Sequence, residues 1–349
     1  MKTRTSQPQP AKSVIGVEFN RAHITAALID ERGQMLARRQ NETPQRTTRA
    51  VALEMTRLIL NVASTKERGN SLITAIGVSV PGLVDPTTRR ISISGLKGWT
   101  RVDLRRMLEE GLSNLGHDIR IPTNERRARA QLSISSQPTI AIQSHISCAA
   151  AAESWSGAAR GKNNVVFASF GEEIEVGILA DGRVLQGSSG LAGLAGWLSL
   201  SESNKPGYEV RGCLATEATI ASLTRRAIEE WSDSSTSMLG KIIKADPMQL
   251  DAETIIRAAR GGDPLALKVV NETCRWIGRG IANLISILNP DAVVIGGELG
   301  LSLRPFYDVV REEAGRWTSA EVFRSCRIVS ASLGDEARLL GAARLALLK

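Results

Sequence analysis

Two stretches of this chain begin in the same way, and that repetition limits the architecture more than any other feature. VIGVEF (14–19) and HITAALID (23–30) are apolar, β-rich runs followed by a turn at residues 31–33 and a third run, QMLARRQ (34–40). Further along, NNVVFASF (163–170), EIEVGILA (173–180) and GRVLQG (182–187) repeat the pattern with their own glycine turns. Each set reads as an antiparallel meander that opens a lobe. Sequence identity between them is slight, so what repeats is architecture. A length of 349 residues also favours two compact lobes over one.

After the first meander, residues 47–63 predict a helix whose apolar side carries Val51, Leu53, Met55, Leu58, Leu60 and Val62. A buried strand, TAIGVSV (74–80), stops at Pro81-Gly82, and strand ISIS (91–94) and a helix over 102–115 follow. Residues 119–138 read as an insertion, after which strand TIAIQS (139–144) runs into an alanine-rich helix at 147–159. Beyond the second meander the pattern is mostly helical: 213–231, 238–245, 251–260, 263–287 and 301–316. Strands DAVVIGG (291–297) and RIVSAS (327–332) interrupt it, and a docking helix over 335–348 ends the chain. Alternating strands and helices imply an α/β fold with a largely parallel sheet in each lobe. The expected division is a disordered tail at 1–12, a first lobe at 13–145 plus 335–349, and a second lobe at 146–334.

Several function classes drop out at this level. No stretch reaches the ~18 apolar residues of a membrane span. Cys148, Cys213, Cys274 and Cys326 are scattered, which suits neither a disulfide framework nor a zinc cluster and fits a reducing, cytoplasmic setting. The net charge of +8 raises nucleic acid as a partner, but the arginines are spread along the chain. The densest patch, NERRARA (124–130), has no aromatic residue for base stacking and reads as a solvated surface.

A set of segments together resembles the ROK (repressor, open reading frame, kinase) family. They are VPGLVDP (80–86), GLKGW (95–99), AAAAESWSGAARG (149–161), ILADGRVLQGSSGLAGLAG (178–196), NPDAVVIGGELG (289–300) and the GAARLALL ending. The resemblance implies two ribonuclease-H-like lobes, the actin and sugar-kinase ATPase fold, with an active cleft between them. It also implies ATP-dependent sugar phosphorylation, so each functional position of the family can be read against this chain.

The family's first phosphate loop, DxGGT, corresponds to Glu18-Phe19-Asn20-Arg21-Ala22: a carboxylate survives, but the glycines and Thr do not. The second loop corresponds to GEEIEVG (171–177), where Gly171 persists and Glu172, Glu173 and Glu175 replace small residues. A carboxylate ~4 Å from a phosphate charge costs ~4 kcal/mol at an effective dielectric of 20. An exposed strand face, with Ile174 and Val176 inside, accounts for the same residues, and either way no phosphate cradle remains. The catalytic Asp of the family, a general base, aligns with His145; an alternative alignment sets the motif at Thr123-Asn124-Glu125. Sugar contacts align with Gly95, Leu194, Trp197 and Ala215, each lacking the expected polar group. The zinc ligands align with Trp197, Pro206, Tyr208 and Cys213, which cannot make a tetrahedral site, so no metal is expected and apolar packing of Leu194 and Trp197 is expected to hold that loop. Gly296 and Gly297 sit where the family places adenosine, or simply make a tight strand-to-helix turn.

The expectation is therefore a degenerate family member: a pseudokinase with no cofactor, acting as a sensor related to sugar-responsive transcriptional regulators. About a dozen residues precede Val14, too few for the helix-turn-helix of such repressors, so specific DNA binding is not expected. Two other readings stand beside it. One is a residual sugar kinase using His145 or Glu125 as base and Glu18 for magnesium. The other is a structural subunit of a homo-oligomer or of a complex with a partner protein.

Overall fold

A computed structural model of the chain describes residues 13–45, 47–65, 73–116, 134–232 and 237–349. They form two units. The first takes the chain to Ser156, with Gly187–Gly190 and Asp335–Lys349; the second takes Gly157–Gln186 and Leu191–Gly334.

The first unit opens with β1 (Ser13–Phe19), β2 (His23–Asp30) and β3 (Met35–Glu42), paired antiparallel as the meander predicts. Helix α1 (Thr48–Ala63) starts where the Thr47 hydroxyl accepts a hydrogen bond from the Ala50 amide. Val51, Met55, Leu58, Ile59 and Val62 form its buried stripe. Then come β4 (Ile73–Val80), the short β5 (Leu83–Val84) and β6 (Ile91–Ser92), α2 (Leu104–Gly116), β7 (Ile134–Ser144) and α3 (His145–Trp155). The sheet order is β3-β2-β1-β4-β7, with β1, β4 and β7 parallel. Three sequence expectations change here. The strand at 91–94 shortens to β6, which pairs with β5 and bridges to Val102, outside the main sheet. Residues 134–138, assigned to the insertion, extend β7; the remainder of that insertion and the tail at 1–12 lie outside the described residues. The first unit also keeps α3, so the chain leaves it after Ser156 and not at 145.

The second unit contains β8 (Val165–Phe170), β9 (Ile174–Ala180) and β10 (Arg183–Val184), again antiparallel. Helices α4 (Tyr208–Arg211), α5 (Cys213–Glu217), α6 (Ile220–Glu230), α7 (Met238–Ala245), α8 (Ala252–Arg260) and α9 (Pro264–Leu288) follow. The helix expected over 213–231 breaks at Thr219, whose amide donates to the Ser222 hydroxyl at 2.8 Å and opens α6. Helix α9 starts with Asp263 as cap and Pro264 inside the first turn, and stops at Asn289 in the left-handed region. Strand β11 (Ala292–Gly296), α10 (Glu298–Ser302), α11 (Tyr307–Arg316), α12 (Ala320–Ser325) and β12 (Arg327–Ser330) complete the unit. Its sheet order, β10-β9-β8-β11-β12, repeats the first in both order and strand direction. Each unit is thus a ribonuclease-H-like α/β lobe.

The C-terminal helix α13 (Glu336–Leu347) belongs to the first unit. An added Cβ on Gly77 of β4 would fall 1.8 Å from the Ala342 carbonyl oxygen, and one on Gly16 of β1 2.5 Å from that of Leu339. On the other side of α13, a Cβ on Gly341 would meet the Cys148 carbonyl oxygen of α3 at 1.7 Å. Backbone lies against backbone on both sides, which is why α3 stays with this unit. Gly77→Val or Gly341→Val is expected to lower unfolding stability by about 3 kcal/mol or more, read from urea denaturation midpoints.

Candidate functional site

Open α/β sheets place their chemistry at the carboxyl ends of parallel strands, and the first unit follows that rule. Glu18 of β1, Ser79 of β4 and Gln143 of β7 are neighbours in register and so share one face of the sheet. Arg338, in the first turn of α13, reaches Glu18 with its guanidinium 3.3 Å from Oε1. The carboxylate that the family pattern assigns to magnesium therefore already has a fixed cation. The Glu18 side chain is 12 % exposed and that of Arg338 44 %, so solvent screens the pair from the arginine's side only. A divalent ion would have to approach against that positive charge, and the residues here do not fit one.

His145 is the first residue of α3, with the Ser144 hydroxyl accepting from the Ser147 amide to start the helix. Its Nε2 lies 3.0 Å from the Phe19 carbonyl oxygen. Burial, reinforced by the nearby Arg338 charge, pulls its pKa down to about 3 against hydrogen bonds to the Phe19 and Ser79 carbonyls. The ring is neutral at physiological pH, so Nε2–H donates to Phe19. A nitrogen this weakly basic has little drive to take a proton from a sugar hydroxyl.

The turn after β1 is closed on itself. Asn20 Oδ1 accepts from the amides of Ala22 and His23 at 2.9 and 2.8 Å. Thr43 donates to the Asn20 carbonyl and Gln45 to that of Arg21, so the turn is tied down from outside as well. Arg21 extends to the Ser94 carbonyl at 3.2 Å, and a Cβ on Gly95 would fall 2.9 Å from its Nη2. Behind the turn, the Phe19 ring stacks on Trp99 with centroids 4.7 Å apart. Glu18, Gly95 and His145 thus gather around one strand end, and Arg21 lies beside the position aligned with a sugar contact.

In the second unit, Gly171, Gly296 and Gly297 come together at the ends of β8 and β11. The Gly171 amide is engaged by the Glu173 carbonyl at 3.1 Å, so it does not face outward as a phosphate donor. Glu173 and Glu175 are exposed while Ile174 and Val176 are buried, the alternation of a strand face, and Glu172 is exposed in the turn before it. Gly297 has a φ of 79°, and a Cβ there would lie 2.3 Å from the Phe170 carbonyl oxygen. On Gly296 it would meet the Phe167 ring at 2.4 Å. Packing of a tight strand-to-helix turn accounts for both glycines.

Leu194, Trp197 and Ala215 also lie in this unit, and here an expectation fails. Leu194 is 50 % exposed and Trp197 54 % exposed, so apolar packing of these two side chains does not hold the loop. Close backbone contact does: a Cβ on Gly193 would meet the Val176 carbonyl oxygen at 1.9 Å, and one on Gly212 that of Gly196 at 2.4 Å. The second fastening is ionic. Glu217, 2 % exposed at its side chain, accepts from Lys205 at 2.9 Å, Tyr208 at 2.8 Å and Arg226 at 2.7 Å. Burial raises the Glu217 pKa, but these donors outweigh it and hold the carboxyl below the usual range. Of the four positions aligned with zinc ligands, Tyr208 joins this knot, Trp197 is exposed, and Pro206 has no donor atom to offer. The donor set does not fit zinc, and a carboxylate knot fastens the same segment.

Two of these residues escaped the sequence reading, Arg338 and Glu217, while Arg21 was read only as one of the residues standing in the family's glycine loop. The available signal for Arg338 was a guanidinium in the first turn of a helix otherwise made of Ala, Leu and Gly on its docking side. Glu217 offered only its place near Lys205, Tyr208, Arg225 and Arg226, too common a pattern to single out.

The sequence model of the ROK family matches residues 14–121 and 124–349. The chain is 26 % identical over 340 residues to the glucokinase of Streptomyces coelicolor, covering 95 % of this chain and 96 % of that one. It is 25 % identical over 289 residues to the DNA-binding transcriptional dual regulator NagC of Escherichia coli, covering 82 % of this chain and 63 % of NagC. Among solved structures, the ROK hexokinase from Thermus thermophilus superposes with a TM-score of 0.74 at 25 % identity, covering 96 % and 98 % of the two chains.

Two outcomes follow from the charges described. His145 has its pKa depressed on folding, so the unfolded chain binds the extra proton. Its stabilising contribution is full above the ordinary histidine pKa of ~6.5 and declines by up to about 1.4 kcal/mol per pH unit as pH falls toward 3. Thermal melts between pH 7 and 4 are expected to show a shallower decline for His145→Gln than for the natural protein. Glu217→Gln, which leaves Arg226 buried without its counter-charge, is expected to cost about 3 kcal/mol at neutral pH in the same melts. The cost shrinks as pH falls through the depressed Glu217 pKa.

Proposed function

The chain belongs to the ROK family, and on that premise we propose that it is a non-catalytic member, a pseudo sugar kinase that works as a regulatory sensor. The observation that carries the reading is the Glu18–Arg338 ion pair beside a neutral His145. A phosphoryl-transfer site of this type needs a carboxylate free for magnesium and a base able to take a hydroxyl proton. Here the first is paired with a guanidinium and the second has a pKa of about 3. The Gly171 amide, engaged within its own turn, supports the same reading, as do Leu194, Trp197 and Ala215 in place of polar sugar contacts.

The residual-kinase reading keeps one specific support: relatives named glucokinase align along nearly the whole chain, and position 18 still carries a carboxylate. A sensor that recognises its signal by contact with a second copy or a partner protein draws support from the exposure of Leu194, Trp197 and Val210. No helix among the described residues is long and apolar enough to cross a membrane.

The deciding experiment follows ADP formation by the purified chain with magnesium-ATP and a panel of hexoses, beside a calorimetric titration of magnesium-ATP. The expected result is no sugar-dependent ADP and no binding heat. Sugar-dependent turnover that collapses in both Glu18→Ala and His145→Ala would sink the proposal in favour of a kinase. Turnover unchanged in both variants would identify a contaminating enzyme and leave the non-catalytic reading standing.

A further inference from the structure

A second group of arginines lies in the second unit, around a cavity of about 430 Å³ beside the edge strand β12. Arg304 stands between α10 and α11, Arg311 one turn into α11, and Arg327 at the start of β12. Tyr307, Ser330 and Ala158 complete the lining that matters here. Among the described residues neither Arg304 nor Arg327 has an ion-pair partner. Arg311 is only lightly held: Nη1 meets Asp308 at 3.0 Å and Nη2 donates to the Ile328 carbonyl at 3.3 Å. The Asp308 side chain is 97 % exposed, so its charge is strongly screened. Three guanidinium groups therefore face one cavity with a single, solvated carboxylate among them.

Another charged cavity of this unit shows what a self-neutralised surface looks like. It measures about 290 Å³, and its cations are all paired: Lys205 and Arg226 with Glu217, Arg225 with Glu229, Lys268 with Glu230 and Arg275 with Glu272. The β12 cavity lacks that compensation. Its floor is neutral, because the buried Tyr307 hydroxyl donates to the Gly300 carbonyl at 2.9 Å and burial pushes its pKa up to about 12.

We propose that this cavity binds the phosphate group of a small phosphorylated metabolite. A monocarboxylate engages one guanidinium fork, whereas the three equivalent oxygens of a phosphomonoester can accept from several forks at once. The volume lies within the range of small-molecule sites and leaves room beyond the phosphate for an organic moiety. None of its lining residues is one of the strand-end residues described in the first unit, so the proposal stands whether or not the chain turns over ATP.

Calorimetric titration of the full chain with glucose-6-phosphate, inorganic phosphate and glucose tests it, at low salt and at about 0.3 M salt. Saturable binding of the ester at low salt is expected, weaker at high salt, with no heat from glucose. Tighter binding of the ester than of inorganic phosphate assigns the cavity to a phosphorylated metabolite; equal binding assigns it to free phosphate, and both support a phosphate site. The double variant Arg304→Ala/Arg327→Ala is expected to weaken binding at least about 10-fold, and the surface substitution Arg327→Glu to do the same. No binding of ester or phosphate at low salt, or unchanged binding in both variants, overturns the proposal. Magnesium-ATP behaviour is expected to be the same in the variants as in the natural protein, which separates this outcome from that of the non-catalytic reading.

Discussion

The first unit depends on how closely α13 approaches its neighbours. Glycine at positions 16, 77 and 341 removes the side chains that would separate it from β1, β4 and α3. A helix held backbone to backbone on both sides has no freedom to slide or rotate, because packed interiors do not deform continuously. That immobility sets the backbone of Arg338 within reach of Glu18. An ordinary surface arginine–glutamate pair is worth little, since two long side chains must be ordered to make it. Here the helix is ordered by apolar packing, and Glu18 is largely shielded from water. The pair is thus preorganised by packing.

One charge then serves two ends. The Arg338 guanidinium neutralises Glu18, and the same positive field disfavours protonation of His145. Burial contributes the larger share of that shift, and the Phe19 carbonyl opposes it without reversing it. The strand-end region therefore contains a carboxylate paired with a cation beside a neutral imidazole, the arrangement on which the non-catalytic proposal rests. The same residue types with a free carboxylate and a histidine near its ordinary pKa would read as an acid–base site. The difference is the burial of the imidazole together with one arginine brought in by the last helix.

Much of the architecture was legible in the sequence because local signals and global pattern agreed. The helices expected over 47–63 and 263–287 are α1 and α9, and the paired meanders announced the two lobes. The site was legible only where a motif linked residue to position: Glu18 at the end of β1, His145 at the strand-to-helix junction, Gly296-Gly297 at the turn after β11. Its decisive contact was not, since Glu18 and Arg338 are 320 positions apart. No local periodicity encodes such a pairing. The error over Leu194 and Trp197 has a different origin. Hydrophobicity reports that a side chain gains by burial, but the chain path decides whether burial is offered. Glycines at 193 and 212 bring the backbone against its neighbours, while the Leu194 and Trp197 side chains point to solvent.

The glycines also separate what has been retained from what has been lost. Those at 16, 77, 193, 212, 296, 297 and 341 face backbone or ring atoms at distances no Cβ tolerates, so each is required by packing whatever the chain binds. The positions where the family pattern asks for small residues so that a ligand can approach hold Asn20, Arg21, Glu172 and Glu173 instead. Replacing a packing glycine would damage the fold, whereas replacing a ligand-facing one removes only the ligand. On the non-catalytic reading proposed above, a chain relieved of phosphate binding would retain the first set and drift at the second. The Glu217 knot fits the same logic. The loop that would otherwise need a metal is fastened by groups the chain supplies itself, at the cost of burying a carboxylate that must remain paired.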